Sequence, residues 1–126
     1  MTPREQIFSV DSRDDQRKII ETVAKSRHSR IPVTRGGSLD NTMGIVYSRD
    51  LLLAWRSQAL IVLEDLLRPV HYVSVDSPLA ESLRVFRTGQ QHISLVKDRA
   101  GIVRGLVTLE DAVEAIVGPI PNESNA

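Results

Sequence analysis

Two seven-residue blocks share one pattern, a glycine leading an apolar pair with an aspartate six positions on: Gly44-Ile-Val-Tyr47-Ser-Arg-Asp50 and Gly105-Leu-Val-Thr108-Leu-Glu-Asp111. A chain that repeats itself in this way is constrained to fold as two copies of one supersecondary unit, and further matches extend the repeat. Phe8-Ser-Val-Asp-Ser12 matches Val73-Ser-Val-Asp-Ser77 at an offset of 65, His28 matches His92 at 64, and Gly44 matches Gly105 at 61. Arg4 and Pro3 have echoes in Arg68 and Pro69. The shrinking offset places a deletion in the loop before the second glycine. A repeat of about 60 residues is too long for a solenoid unit and too short for a comfortable core of its own, so the copies are expected to pack as one domain.

Composition narrows the function classes. With 126 residues, 41% of them hydrophobic, the chain is long enough for one compact domain. Lysine plus arginine and aspartate plus glutamate each number 16, so no overall field draws it to nucleic acid, and any anion site must be local. The absence of cysteine excludes disulfides and thiolate chemistry. The longest apolar runs, residues 51–55 and 59–63, fall far short of the roughly 20 residues of a membrane helix, and the N-terminus is not a signal peptide. These residues are expected to be soluble.

Ser12 with Asp15 has the spacing of a capping box, and Ile19, Ile20, Val23 and Ala24 recur at helical intervals, so a helix is expected over 14–27. Arg30-Ile-Pro-Val33 reads as a short strand whose Pro32 must lie at an edge, a bulge or a strand end. A polar loop over 34–42 leads to an apolar strand over 43–47 and a helix over 50–57. Residues 58–68 read as a partly helical connector. In the second copy Ser77 and Pro78 have helix-start chemistry, and Leu79, Leu83 and Phe86 mark a buried face up to Gly89. Strands are expected over 93–96 and 102–107 around an Asp98-Arg-Ala-Gly101 turn. A last helix then presents Ala112, Val113, Ile116 and Val117 and stops at Gly118, Pro119 and Pro121, with a frayed tail from Asn122. The expected fold class is α/β (α+β): pseudo-symmetric repeats over 1–57 and 69–118, a connector over 58–68 and a tail over 119–126, each repeat a small sheet covered by helices.

Four stretches carry a family likeness: Met1-Thr-Pro-Arg4, His28-Ser-Arg-Ile-Pro-Val33, Asp65-Leu-Leu-Arg-Pro69, and Gly105-Leu-Val-Thr-Leu-Glu-Asp111 running into Ile116-Val-Gly118. In this order and spacing each half resembles a CBS domain, and the pair resembles the CBS (Bateman) module of the CorC, HlyC and CNNM membrane proteins linked to magnesium and cobalt efflux. The resemblance implies a regulatory module that binds an adenine nucleotide, ATP or AMP, with Mg2+ as a companion of ATP, and not an enzyme. It also implies a homodimer. The parent protein is then expected to lie in the inner membrane, with a membrane domain before this cytoplasmic part and a small C-terminal domain after it. Two positions depart from the family pattern: the loop Lys97-Asp-Arg-Ala-Gly101 is not acidic and glycine-rich, and Tyr47 stands where a nucleotide-binding repeat offers serine or threonine.

The residues suggest where a ligand would sit. Thr108 and Asp111, three apart at a helix start, face one N-terminal opening, where backbone N–H groups and the helix dipole favour phosphate. Thr108 is assigned as a donor to phosphate. Asp111 is assigned as an acceptor from the ribose hydroxyls, because a carboxylate beside a polyphosphate would be repelled. The same spacing is also a helix cap, worth about 1 kcal/mol, and the two roles are compatible. Asp50 keeps the ribose position in the first copy, but Tyr47 crowds the phosphate position, so that opening is expected to be degenerate and one nucleotide is expected per chain.

The resemblance adds Thr2, His28, Arg30, Ile31 and Pro32 as ligand contacts, Ile31 and Pro32 packing on adenine and Arg30 pairing with phosphate through its planar fork. Plain strand packing and a solvated surface charge are the alternatives for these three. His28, His71 and His92 are dispersed, so no transition-metal site is expected. No Ser-His-acid ordering, paired catalytic carboxylates or Walker-type loop supports turnover. Trp55 is read as core or dimer interface. A ligand-free dimerisation scaffold using residues 50–57 and 112–117 is the alternative function, and a sensor of another adenosyl compound a third.

Overall fold

The fold is that of a computed structural model, which describes residues 1–57, 60–88 and 92–117. In chain order it comprises β1 (Thr2–Pro3), a 3-10 turn (Arg4–Gln6), β2 (Val10–Asp11), α1 (Gln16–Lys25), β3 (Arg30–Thr34), a 3-10 turn (Leu39–Asn41), β4 (Thr42–Tyr47) and α2 (Ser48–Arg56). There follow α3 (Leu63–Leu66), β5 (Tyr72–Ser74), α4 (Pro78–Thr88), β6 (Ile93–Lys97), β7 (Val103–Thr108) and α5 (Leu109–Val117). The expected helix stops at Gly89, Gly118, Pro119 and Pro121 and the tail from Asn122 lie outside the described residues.

The chain divides into two compact units, one of Phe8–Val70 and one of Met1–Ile7 together with His71 onward. In the Phe8–Val70 unit the sheet order is β2-β3-β4, β2 running parallel and β4 antiparallel to the central β3. Helix α1 brings Ile19, Ile20 and Val23 to one face at helical spacing, where they bury with Val10, Ile31, Val33, Val46, Leu51 and Ile61. The Gln16 amide donates to the Ile61 carbonyl at 2.9 Å and ties the connector to this core. Helix α1 starts later than the Ser12 and Asp15 spacing implies, and no side chain caps it. The turn before it is built by Asp11 instead, whose carboxylate accepts from Arg13 N–H and Gly36 N–H, each at 3.0 Å.

Pro32 lies in the central strand, not at the sheet's edge, and the local pairing explains why it is tolerated there. Its partner on β4, Ile45, directs its N–H and C=O to Arg68, at 2.9 and 2.8 Å. Pro32 therefore faces Ile45 as a non-hydrogen-bonded pair, and its ring nitrogen points away from β4. On that other side β2 pairs only with Val33 and Thr34, so no ladder bond is lost.

In the other unit the sheet order is β1-β7-β6-β5. Val73, Phe86, Val96, Val107 and Ala112 form its core, with Leu79, Leu83, Val85 and Leu109 packed against them. The expected Asp98–Gly101 turn is present. Gly101 takes φ +83°, and the Asp98 carboxylate accepts from Ala100 N–H, Ile102 N–H and Arg104 Nε at 2.9, 3.0 and 2.7 Å. These donors, Ile102 first and Arg104 next, hold the Asp98 carboxyl below its ordinary value of 3.8.

Both leading glycines have the same purpose. A Cβ on Gly44 would lie 2.8 Å from the Arg68 carbonyl oxygen and 3.0 Å from Leu67 Cβ, and one on Gly105 would lie 2.8 Å from the Thr2 carbonyl oxygen and from Met1 Sδ. Each glycine admits the backbone of a segment from elsewhere in the sequence. Residues 67–68, at the end of the connector, lie beside β4, while β1 pairs antiparallel with β7, Thr2 opposite Leu106 and Pro3 opposite Gly105. The chain's first strand thus completes the sheet of the second repeat.

The registers also correct the repeat alignment. Val10 pairs with Val33 and Val73 with Val96, while Ser29 O and His92 O accept the equivalent bonds from Ser48 N–H and Leu109 N–H. Val10 therefore corresponds to Val73, not Val75, and Ser29 to His92, so His28 and His92 are not equivalent. Tyr47 opposite Arg30 and Thr108 opposite Ile93 correspond as expected.

Candidate functional site

Thr108 ends β7, and Asp111 sits in the first turn of α5. Thr108 N–H donates to Asp111 Oδ2 and Asp111 N–H to Thr108 Oγ1, both at 3.1 Å, a reciprocal box that realises the capping reading of this spacing. The box also narrows the anion cradle, because Leu109 N–H is already taken by the His92 carbonyl at 2.9 Å. The helix dipole remains, as does the Thr108 hydroxyl, whose oxygen accepts within the box while its proton has no acceptor among the described residues. Asp111 retains about a third of its side-chain exposure, and its Oδ1 has no hydrogen-bond partner among the described residues. Thr2 lies on the adjoining strand, opposite Leu106, and the Met1 amine is 3.9 Å from Asp111. Arg4 Nη1 donates to the Val103 carbonyl at 2.7 Å and helps hold this opening segment down. Thr2, Thr108 and Asp111 are thus brought together in one unit.

The corresponding pair in the first repeat is arranged differently. Tyr47 offers no side-chain cap to α2. Asp50 is engaged by Arg68, whose Nη2 donates to Oδ2 at 3.1 Å, with Arg49 Nε a further 3.8 Å contact. The Arg68 guanidinium also lies 4.1 Å from the Tyr47 ring centroid, and Arg30 lies over the same ring at 5.3 Å. Arg68 thus contacts both Asp50 and Tyr47 at this opening.

The remaining nominated residues line β3 and its approach in the Phe8–Val70 unit. The His28 ring stacks on Phe8, with centroids 5.0 Å apart and planes at 11°. Ile31 packs in the core, and Pro32 is fully buried. Arg30, across the ladder from Tyr47, places its charge on that ring.

A sequence model of the CBS domain matches residues 1–57 and again residues 63–118. The chain belongs to the CBS-domain family. The magnesium and cobalt efflux protein CorC of Pasteurella multocida is 39% identical over 98% of the chain. The match takes in 41% of that relative, and the chain spans less than half the length of the curated relatives it matches. Among solved structures, the CBS domain of a bacterial CNNM/CorC family Mg2+ transporter in complex with ATP superposes with a TM-score of 0.82 at 30% identity, covering 95% of this chain and 85% of that one. A CBS-domain pair from Klebsiella pneumoniae with bound AMP gives 0.78 at 31% identity, covering 94% of each. CBS repeats are regulatory modules, so the expectation of a non-catalytic role rests on the family as well as on the residues.

One feature of this CBS pair was not read from the sequence. Arg68 was noticed as an echo of Arg4 and within the Asp65-Leu-Leu-Arg-Pro69 stretch, whereas its register partner, Ile45, makes it the counterpart of Thr2 opposite Leu106. The helices named for the dimerisation alternative leave apolar residues outside: Leu53 and Trp55 on α2, and Val113 and Val117 on α5, are all exposed. No helix among the described residues is long and apolar enough to cross a membrane.

Proposed function

We propose that this CBS pair is a regulatory module that binds an adenine nucleotide, ATP with Mg2+ or AMP, in the cytoplasmic part of an inner-membrane protein concerned with magnesium and cobalt efflux. The observation that carries the reading is the Thr108–Asp111 pair at the head of α5, which keeps a hydroxyl proton and a carboxylate oxygen for a ligand while capping the helix. Asp111 is suited to the ribose hydroxyls and Thr108 to a phosphate, with Thr2 on the neighbouring strand. The ATP- and AMP-bound relatives support the ligand class. His28, Arg30, Ile31 and Pro32 are proposed as further ligand contacts by the family resemblance. The burial of Ile31 in its own core gives its strand-packing role equal standing.

The residues fit a nucleotide better than a bare cation. Among the described residues no group of three or more histidine or acidic side chains is placed to hold a metal. Mg2+ would therefore be held by phosphate oxygens and water. Regulation requires the nucleotide to bind two states of the parent protein with different affinity.

Calorimetric titration with ATP, ADP and AMP, with and without Mg2+, tests the proposal. One ligand per chain is expected, with at least tenfold weaker binding in Asp111→Ala, whereas no heat, or an unchanged affinity in that variant, overturns it. The exposed apolar residues of α2 and α5 favour a second reading, a dimerisation scaffold without ligand. A sedimentation experiment that finds a monomer at tens of micromolar removes that reading together with the homodimer that the family resemblance implies.

A further inference from the structure

We propose that Arg68 decides which repeat takes the ligand, by filling from within the fold the contacts that a nucleoside would make at the first opening. The inference rests on the nucleotide reading above. Asp50 is the counterpart of Asp111, but its Oδ2 already accepts from Arg68 Nη2 at 3.1 Å. Arg68 adds the attraction of a full positive charge to its hydrogen bond, and a ribose hydroxyl, which would bring only a hydrogen bond to the same carboxylate, does not displace it. The same guanidinium lies 4.1 Å from the Tyr47 centroid and covers the ring on which a base or sugar would stack.

Arg68 is also held in place by its main chain. Its N–H donates to the Ile45 carbonyl at 2.8 Å, and its carbonyl accepts from Ile45 N–H at 2.9 Å, beside the space that Gly44 leaves open. At the register-equivalent position the second repeat has Thr2, too short and uncharged to do the same, so no arginine engages Asp111 among the described residues, whereas Asp50 has Arg68 on Oδ2 and Arg49 3.8 Å from Oδ1. Tyr47 alone crowds only a phosphate position. It is Arg68 that ties up the carboxylate a ribose would use, bonding Oδ2 and neutralising its charge.

Ligands per chain are counted by calorimetry of the whole chain with MgATP. One is expected for the unaltered protein and for Tyr47→Thr, and two for Tyr47→Thr/Arg68→Ala. Adding Asp111→Ala to the double variant is expected to leave one, which locates the gained site in the first repeat. A double variant that gains no ligand over the unaltered protein overturns the proposal, as does complete loss of binding on adding Asp111→Ala. If the unaltered protein takes no nucleotide, the functional reading fails by itself, and the proposal is still decided by whether the double variant gains a site. Should the double variant fail to fold, Arg68→Ala alone keeps both main-chain bonds to Ile45. Its titration with adenosine, which has no phosphate for Tyr47 to crowd, is then expected to show one more ligand than the unaltered protein, and an equal count overturns the proposal.

Discussion

At the scale of single residues, the same carboxylate serves different ends in the two repeats because its neighbours differ. Asp111 shares a capping box with Thr108, so Thr108→Ala is expected to lower stability by about 1 kcal/mol in urea denaturation, apart from any effect on ligand. Asp98 gives a pH prediction. Its carboxyl is held below 3.8 by Ile102 N–H and then Arg104, so its contribution is complete above 3.8 and is lost as pH falls through the lower folded value. Asp98→Asn is therefore expected to be less stable than the unaltered protein at pH 7, with the gap closing below pH 3.8, and a gap that is constant with pH would contradict the assignment. The Thr108–Asp111 pair was legible in sequence because a cap is a local pattern. The role of Arg68 was not, since its contacts depend on a strand register that no short motif records. The repeated Ser-Val-Asp-Ser letters also misled: Val10 is buried in β2, whereas Val75, its apparent match, is exposed in the turn after β5.

At the scale of elements, helices and strands were legible because their signals are local: a 3.6 period for α1, and short apolar runs within β4 and β7. What escaped was the start of α1, where the Asp11 turn replaced the capping box, and the pairing of β1, whose partner lies about a hundred positions away. The leading glycines were legible as a motif but not as a requirement, since what they make room for is supplied by distant residues. Gly44→Ala sets its Cβ against the Arg68 carbonyl and Leu67 Cβ, whereas at Gly105 much of the contact is with the flexible Met1 side chain. Overpacking of this kind costs about 1–3 kcal/mol. Gly44→Ala is expected near the upper end and Gly105→Ala near the lower, measured as denaturation midpoints, and the reverse order would show that the β4 side has more freedom than its packing implies.

At the scale of the whole molecule, the duplication was legible, but the partition into compact units was not, since it places Met1–Ile7 with the second repeat's strands. Deleting residues 1–7 is expected to turn β7 into an open edge and to speed hydrogen exchange at its amides, while exchange across β2, β3 and β4 is unchanged. Uniform acceleration over the whole chain would instead show one cooperative unit. The same partition sets an order of completion during synthesis. Residues 8–70 hold every strand of their own sheet and can close it as soon as they have emerged, whereas the opening segment must wait, its edge unpaired, until β7 has been translated. A stall before residue 103 would leave a nascent chain with the sheet of residues 8–70 assembled and β1 still unpartnered, the form most exposed to mispairing with a neighbouring chain.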